Sequence, residues 1–409
     1  MSSPDSDDKL ELPFSLEDDL AHLQQLREVI SEVMQEEQAQ QGPGQTLKGF
    51  VEDLPMLSPQ EIYDEVGRLG YVGQRRARRS LSLMAHRHVR RLRYLFLEGI
   101  PAEELPPKSN QLLIGPTGCG KTFLIELLFK HIFKLPTVMV DVTNFSETGY
   151  VGNDVSSILT RLLFEVDGVV PIAEIGVVCI DEFDKLASNQ NNAVFAGAGT
   201  TKDISGLGVQ RELLKLLENT TLTVPTEFSH SSYQQHALMS TANIPFIACG
   251  AFSGFKQLAQ LGLTGPDIGF LNQTRSKVSD DIAVSFTQED VDQTRLFQQY
   301  GFLPELVARF ERVVPFRALD KETLSLILRE NLIVRYQREF ALAGIELNIE
   351  NSLVDSLVQQ ALKRETGARG LRSALSRLLE DVAFDVYSEQ EVQRVGLGVE
   401  KDQLVLHKD

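Results

Sequence analysis

The octet Gly115-Pro116-Thr117-Gly118-Cys119-Gly120-Lys121-Thr122 constrains this chain more than any other stretch. It fits the pattern GxxxxGK[ST]. It lies between a short apolar run, Gln111–Ile114, and a helical pattern that starts at Phe123 and reaches about Phe133. Strand, glycine loop and helix in that order make a phosphate-binding loop in an α/β sheet. The residue types follow from the chemistry. Glycines let backbone N–H groups curl around phosphates with no Cβ in the way. Lys121 is placed to reach the β- and γ-phosphates of a nucleotide, the Thr122 hydroxyl to ligate Mg2+, and the helix N-terminus to add positive potential.

A second run supplies what hydrolysis needs. Val177–Ile180 reads as a buried strand that ends in Asp181-Glu182. Asp181 at a strand end suits the Mg2+ shell, so Thr122 and Asp181 are the metal candidates. Glu182 suits the polarising of an attacking water. Further β runs, Thr137–Val140 and Ile244–Ala248, alternate with helical patterns at about 59–69 and 74–98. This predicts a parallel sheet covered by helices. After Pro315 the pattern turns mostly helical, at 320–343, 350–364 and 368–388. Short strands, Arg394–Val399 and Gln403–His407, end the chain.

At 409 residues the chain is too long for one simple core. The expected fold is α/β: a large P-loop ATPase domain (55–316), a small, mostly helical C-terminal domain (317–409) and a helical N-terminal extension (1–54). In the extension, Leu16, Leu20, Leu23, Leu26, Ile30 and Val33 form one apolar stripe on a helix capped by Ser15. Gly42-Pro43-Gly44 breaks that helix, and a linker is expected to about Leu54. The helix either packs on its own motor domain or pairs with a partner.

The formal charge is −17, from 40 Lys+Arg against 57 Asp+Glu. Such acidity speaks against nucleic acid as the partner. Against this stands one arginine-rich helical pattern between Arg75 and Arg93, which also carries Leu81, Met84, His88, Leu92 and Leu95. No apolar run reaches a membrane span, and the acidic N-terminus lacks the features of a leader, so a cytoplasmic protein is expected. Cys119, Cys179 and Cys249 are far apart in sequence with no CxxC pair. Each reads as a small apolar filler, and no zinc is expected.

Several ordered blocks resemble the ClpX family of AAA+ protein unfoldases, over about Leu54 to Tyr387. Tyr71-Val72-Gly73-Gln74 is similar to the segment over the adenine, and the P-loop follows. Gly149-Tyr150-Val151-Gly152 resembles the pore-1 loop, and Ile180–Lys185 the Walker B run. Asp203–Gly206 and Gly208–Gln210 resemble the stretch after the second pore loop. Gly301–Glu305 leads to Arg309 at the arginine-finger position, and Thr366–Arg372 matches the sensor-2 block.

The resemblance implies a homo-hexamer that binds ATP and Mg2+ and threads protein substrates through a ring pore. Glu182 and Arg309 would be catalytic, with Arg309 acting on the neighbour's nucleotide. Val72, Gly115–Phe123, Asp181 and Arg369 would hold ATP. Tyr150 and Val151 would grip the substrate. Ile268-Gly269-Phe270, in the polar stretch Gly262–Glu289, is similar to the loop that docks on a ClpP-type peptidase. The family's N-terminal zinc domain and basic RKH loop have no clear counterpart, the latter's region reading Pro225–Ser232. No sensor-1 residue is assigned among Thr241, Asn243 and Cys249. A remodelling chaperone that works without a peptidase, and a nucleic-acid-associated motor, stay open as alternatives.

Overall fold

The computed structural model describes residues 46–145, 154–187, 205–226, 236–253, 255, 294–388, 392–400 and 403–408. Two compact units are separated, 1–50 and 51–409. The striped helix of residues 16–41 lies outside the described residues. Where a linker was expected, residues Leu47–Asp53 form a short helix. Val51 and Leu54 are buried, and that apolar anchoring is incompatible with a free linker.

In the second unit, α1 (Pro59–Arg68) begins with a capping box. The Ser58 hydroxyl accepts from Glu61 N, and the Glu61 carboxylate accepts from Ser58 N. Bonds to its charged form, first from the Ser58 N–H and then from the Ser58 side chain, hold the Glu61 carboxyl below its usual value. Helix α2 (Arg75–Phe96) buries Ala77, Leu81, Met84, Ala85, His88, Val89 and Leu92 on one face. Among its arginines, Arg78 donates to Tyr63 O and lies 3.8 Å over the Tyr63 ring. Arg91 donates to Pro106 O, Arg93 to Val51 O and Glu52 O, and Arg90 to the Tyr94 hydroxyl. The basic stripe is in part a set of internal struts.

The main sheet has strands β1 (Gln111–Ile114), β2 (Thr137–Asp141), β3 (Val177–Asp181), β6 (Phe246–Gly250) and β7 (Arg312–Pro315) in the order β2-β3-β6-β1-β7. Every pairing in it is parallel. The strands are apolar because helices cover both faces. Between β3 and β6 stand helix α5 (Ser205–Leu217) and a hairpin of β4 (Thr221–Pro225) and β5 (His236–Ser240). Helix α3 (Lys121–Ile125) follows β1 and runs on as a π-helical stretch, Glu126–Ile132. Helix α4 (Ser157–Phe164) precedes β3.

Strand β6 starts two residues later than the expected Ile244. Pro245 has no N–H to give the ladder, although its carbonyl accepts from Val178 N. Strands β4, β5 and β7 were not expected, nor was β8 (Glu346–Ile349). Their short alternating or Pro-ended sequences carry little apolar signal.

Helices α6 (Thr294–Tyr300) and α7 (Pro304–Val307) lead to β7. After β7 come α8 (Lys321–Leu326), a π-helical stretch Ile327–Ile333, α9 (Val334–Leu342), α10 (Asn351–Lys363) and α11 (Gly367–Ser388). They pack on a three-stranded sheet, β10-β9-β8, made of β8 (Glu346–Ile349), β9 (Arg394–Glu400) and β10 (Gln403–Lys408). Leu324, Phe340, Leu357, Leu371, Leu375 and Leu397 belong to this second core.

Candidate functional site

A cavity of about 460 Å3 opens where the C-terminal ends of the parallel strands meet the helical part. That is where ligands enter open α/β sheets. Thr117 to Phe123, Asp181 and Glu182 line it, with Leu69 to Val72 on one side and Asn331, Arg335, Arg369 and Arg372 on the other. A second groove, of about 720 Å3, lies between α10 and α11. It is larger, but it lacks Lys121, Asp181 and Glu182, so the chemistry belongs to the smaller cavity.

The loop after β1 needs its glycines. Gly118 and Gly120 have φ of +74° and +95°. A Cβ on Gly118 would come 2.5 Å from the Thr366 carbonyl oxygen. The same contact explains the docking of α11, because Ala368 N donates to Gly118 O. Lys121 is buried, and its Nζ donates to Gly115 O at 2.6 Å and Pro116 O at 3.0 Å. Gly115 and Pro116 therefore meet the lysine through their carbonyls and do not line the cavity. At the loop's far side the Tyr71 hydroxyl donates to Gly120 O, and the Tyr71 ring stacks at 6.0 Å on Phe123.

Strand β3 delivers the acidic pair. The Thr122 hydroxyl donates to Asp181 Oδ2 at 2.9 Å, across 59 residues of sequence. A hydroxyl and a carboxylate at that separation are hard oxygen donors of the kind Mg2+ takes when phosphates and water complete its shell. The residues present therefore fit the metal that the P-loop implies. Asp181 Oδ1 accepts from Glu182 N. Glu182 has φ 54° and ψ 29°, a left-handed conformation uncommon for a residue with a side chain. It turns the chain from β3 into the 3-10 turn Phe183–Leu186, and Glu182 lines the cavity beside Asp181.

The three cysteines are buried, as fillers are, but they do not stand apart. Cys179 and Cys249 stand on adjacent strands and share a thiol hydrogen bond. Cys119 lies close enough to sense Cys249. Sheet closure brings the two strand cysteines up to Cys119 of the loop, which their sequence spacing hid. Burial pushes the Cys249 thiol well up, helped by Cys179 and the Asp181 carboxylate. Burial also raises Cys119.

Asn331, Arg335 and Arg372 belong to the cavity and were missed, since a polar residue in a helical pattern looks like a solvated one. Asn331 Nδ2 donates to Gly70 O at 2.6 Å and so holds the segment that carries Val72. Arg309 is not at this cavity. Its Nη2 lies 2.6 Å from Glu218 Oε1. Thr241 is fully buried, and its hydroxyl donates to Glu218 O, a structural use. Tyr150, Val151, Ile268, Gly269 and Phe270 lie outside the described residues.

Residues 106–313 match the AAA domain of the Cdc48 subfamily, and residues 319–399 match the C-terminal, D2-small domain of ClpB protein. The ATP-dependent Clp protease ATP-binding subunit ClpX of Treponema denticola is 34% identical over 335 residues, 81% of this chain and 78% of that protein. The chain belongs to the ClpX family. ClpX 3 of Methylococcus capsulatus is 35% identical over 339 residues, 79% of this chain and 75% of the relative. ClpX of Azotobacter vinelandii is 36% identical over 351 residues, 83% and 75%. As a ClpX-family AAA+ protein this chain is an ATPase with the α/β fold described above. Among the described residues, no helix is long and apolar enough to cross a membrane.

Proposed function

We propose that this protein is an ATP-driven unfoldase that works in the cytoplasm as a homo-hexamer and threads substrate proteins through its pore into a ClpP-type peptidase. The observation that carries the ATPase part is the 2.9 Å contact of Thr122 with Asp181, in one cavity with Lys121, Glu182 and Arg369. Thr122 and Asp181 would hold Mg2+, which when bound neutralises charge on the phosphates. Lys121 trades its loop carbonyls for phosphate oxygens. Glu182 accepts a hydrogen bond from the attacking water and orients it. Arg369, at the start of α11, meets the nucleotide from its own subunit. It links nucleotide state to the angle between sheet and helical parts. Arg309 serves the neighbouring subunit's site, in keeping with its distance from its own cavity.

The unfoldase part rests on the Gly149–Gly152 block, where Tyr150 and Val151 would grip a polypeptide by apolar contact with little sequence preference. The peptidase part rests on Ile268-Gly269-Phe270 and on the relatives, which are named as ATP-binding subunits of an ATP-dependent Clp protease. Six weak dockings would sum through effective concentration. The test is incubation with ATP, a tightly folded reporter and the ClpP-type peptidase of the same organism. Wild-type protein should degrade the reporter. Phe270→Ala should keep ATPase activity and unfolding while losing degradation and co-sedimentation with the peptidase. Unfolding by wild type without any peptidase binding would favour a remodelling chaperone.

A further inference from the structure

Arg309 and the segment leading to it are held in their own subunit by three residues. Its carbonyl accepts from Asn110 Nδ2 at 3.2 Å. The approach to it is clamped by Gln210, which is completely buried. The Gln210 amide nitrogen donates to Gly301 O, and the amide oxygen accepts from Leu303 N at 2.8 Å. The guanidinium meets Glu218, one residue past the end of α5. Glu218 is itself fixed, because its carbonyl accepts from the buried Thr241 hydroxyl at 2.7 Å. Helix α5 and the residue that follows it thus supply both the backbone clamp and the carboxylate. The same Gln210 nitrogen also donates to Leu186 O at 2.7 Å, the end of the turn that begins after Glu182.

We propose that Glu218 is a positioning residue that latches Arg309 within its own subunit, and that the arginine leaves this carboxylate to reach the neighbour's phosphates. The inference rests on the reading of Arg309 as a finger acting on the next subunit. The pair is well suited to exchange. Both side chains are near half exposed, at 47% and 40%, so water and salt weaken the pair and the guanidinium is not trapped. A polyphosphate carries more charge than one carboxylate and offers the planar fork several oxygens, so it can draw the arginine away, but the latch still competes for it while nucleotide is bound. In its absence the latch keeps the finger from occupying the interface.

The experiment compares full-length wild type with Glu218→Gln, which keeps shape and removes charge, and with Glu218→Ala. Neither change touches the carbonyl that Thr241 uses, and unchanged melting curves check that the fold survives. At about 50 mM salt both variants should hydrolyse ATP with kcat raised about two- to fivefold and KM unchanged, since Glu218 is not part of the cavity. At about 500 mM salt, where screening already loosens the wild-type pair, the difference should vanish. A kcat that is unchanged or lower at low salt overturns the latch. Arg309→Ala separates the two levels. If it hydrolyses ATP like wild type, the finger reading fails. If it is inactive while the Glu218 variants match wild type, only the latch fails.

Discussion

At the scale of single residues, Glu182 shows how backbone and chemistry are tied. Its left-handed backbone stores strain of the order of 1 kcal/mol or more, which the Asp181 bond to its N–H helps to hold. The same turn sets the carboxylate beside Asp181 in the cavity. Glu182→Gln should therefore bind ATP normally and lose hydrolysis by on the order of 10²-fold or more, measured by nucleotide binding and phosphate release. Near-normal turnover would remove Glu182 from the mechanism. His88 gives a pH signature of a different kind. It is buried in α2, and desolvation lowers its imidazole from 6.5 to about 4, although Ile175 O bonds to Nε2. The folded protein keeps it neutral while the unfolded chain takes up a proton below 6.5. Stability from this group is thus complete above pH 6.5 and is lost as pH falls toward about 4, in all about 3 kcal/mol. Chemical denaturation across that window should show the loss, and His88→Leu should flatten it. An unaltered pH slope in that variant would mean that other groups carry the acid sensitivity.

At the scale of elements, the two π-helical stretches, Glu126–Ile132 and Ile327–Ile333, both reach the nucleotide cavity, through Glu126 and through Ile327, Asn331 and Leu332. A widened turn displaces side chains from the ordinary helical face, and such stretches gather at functional sites. Asn331 uses its place there to hold Gly70, just before Tyr71 and Val72. Its replacement by leucine leaves Gly70 O without that donor and frees the segment over the nucleotide. Asn331→Leu should weaken nucleotide affinity by about fivefold, the worth of one hydrogen bond, with kcat at saturating ATP little changed. A fluorescent-nucleotide titration reads this directly, and equal affinities would show that the segment is held by packing alone.

At the scale of the whole molecule, the cavity contains everything proposed for hydrolysis except Arg309, whose guanidinium is on Glu218. This division has a test that no single variant offers. Arg309→Ala and Glu182→Gln should each be nearly inactive alone. Mixed in one ring, they create some interfaces with an intact Glu182 facing an intact Arg309, and ATPase activity should partly return. No recovery in rings verified as mixed would count against action across subunits.

Much of this was legible in the chain because its signals are local. A P-loop must be consecutive, since its N–H groups surround one phosphate group. An acidic pair at the end of an apolar strand is equally short-range. The family blocks extended that reading to Val72 and Arg369, and the cavity includes both. What the chain could not show was decided by long-range packing. Strand β7 has only two central valines to mark it, and it exists because β1 offers an edge. Asn331, Arg335 and Arg372 join the site only when the helical part closes over the P-loop. The cysteines meet because strands β3 and β6 are neighbours. Arg309 finds Glu218 across 91 residues because Asn110 holds its carbonyl and Gln210 holds Leu303, six residues before it. Contacts of this kind depend on where distant elements meet, and no spacing along the sequence records that.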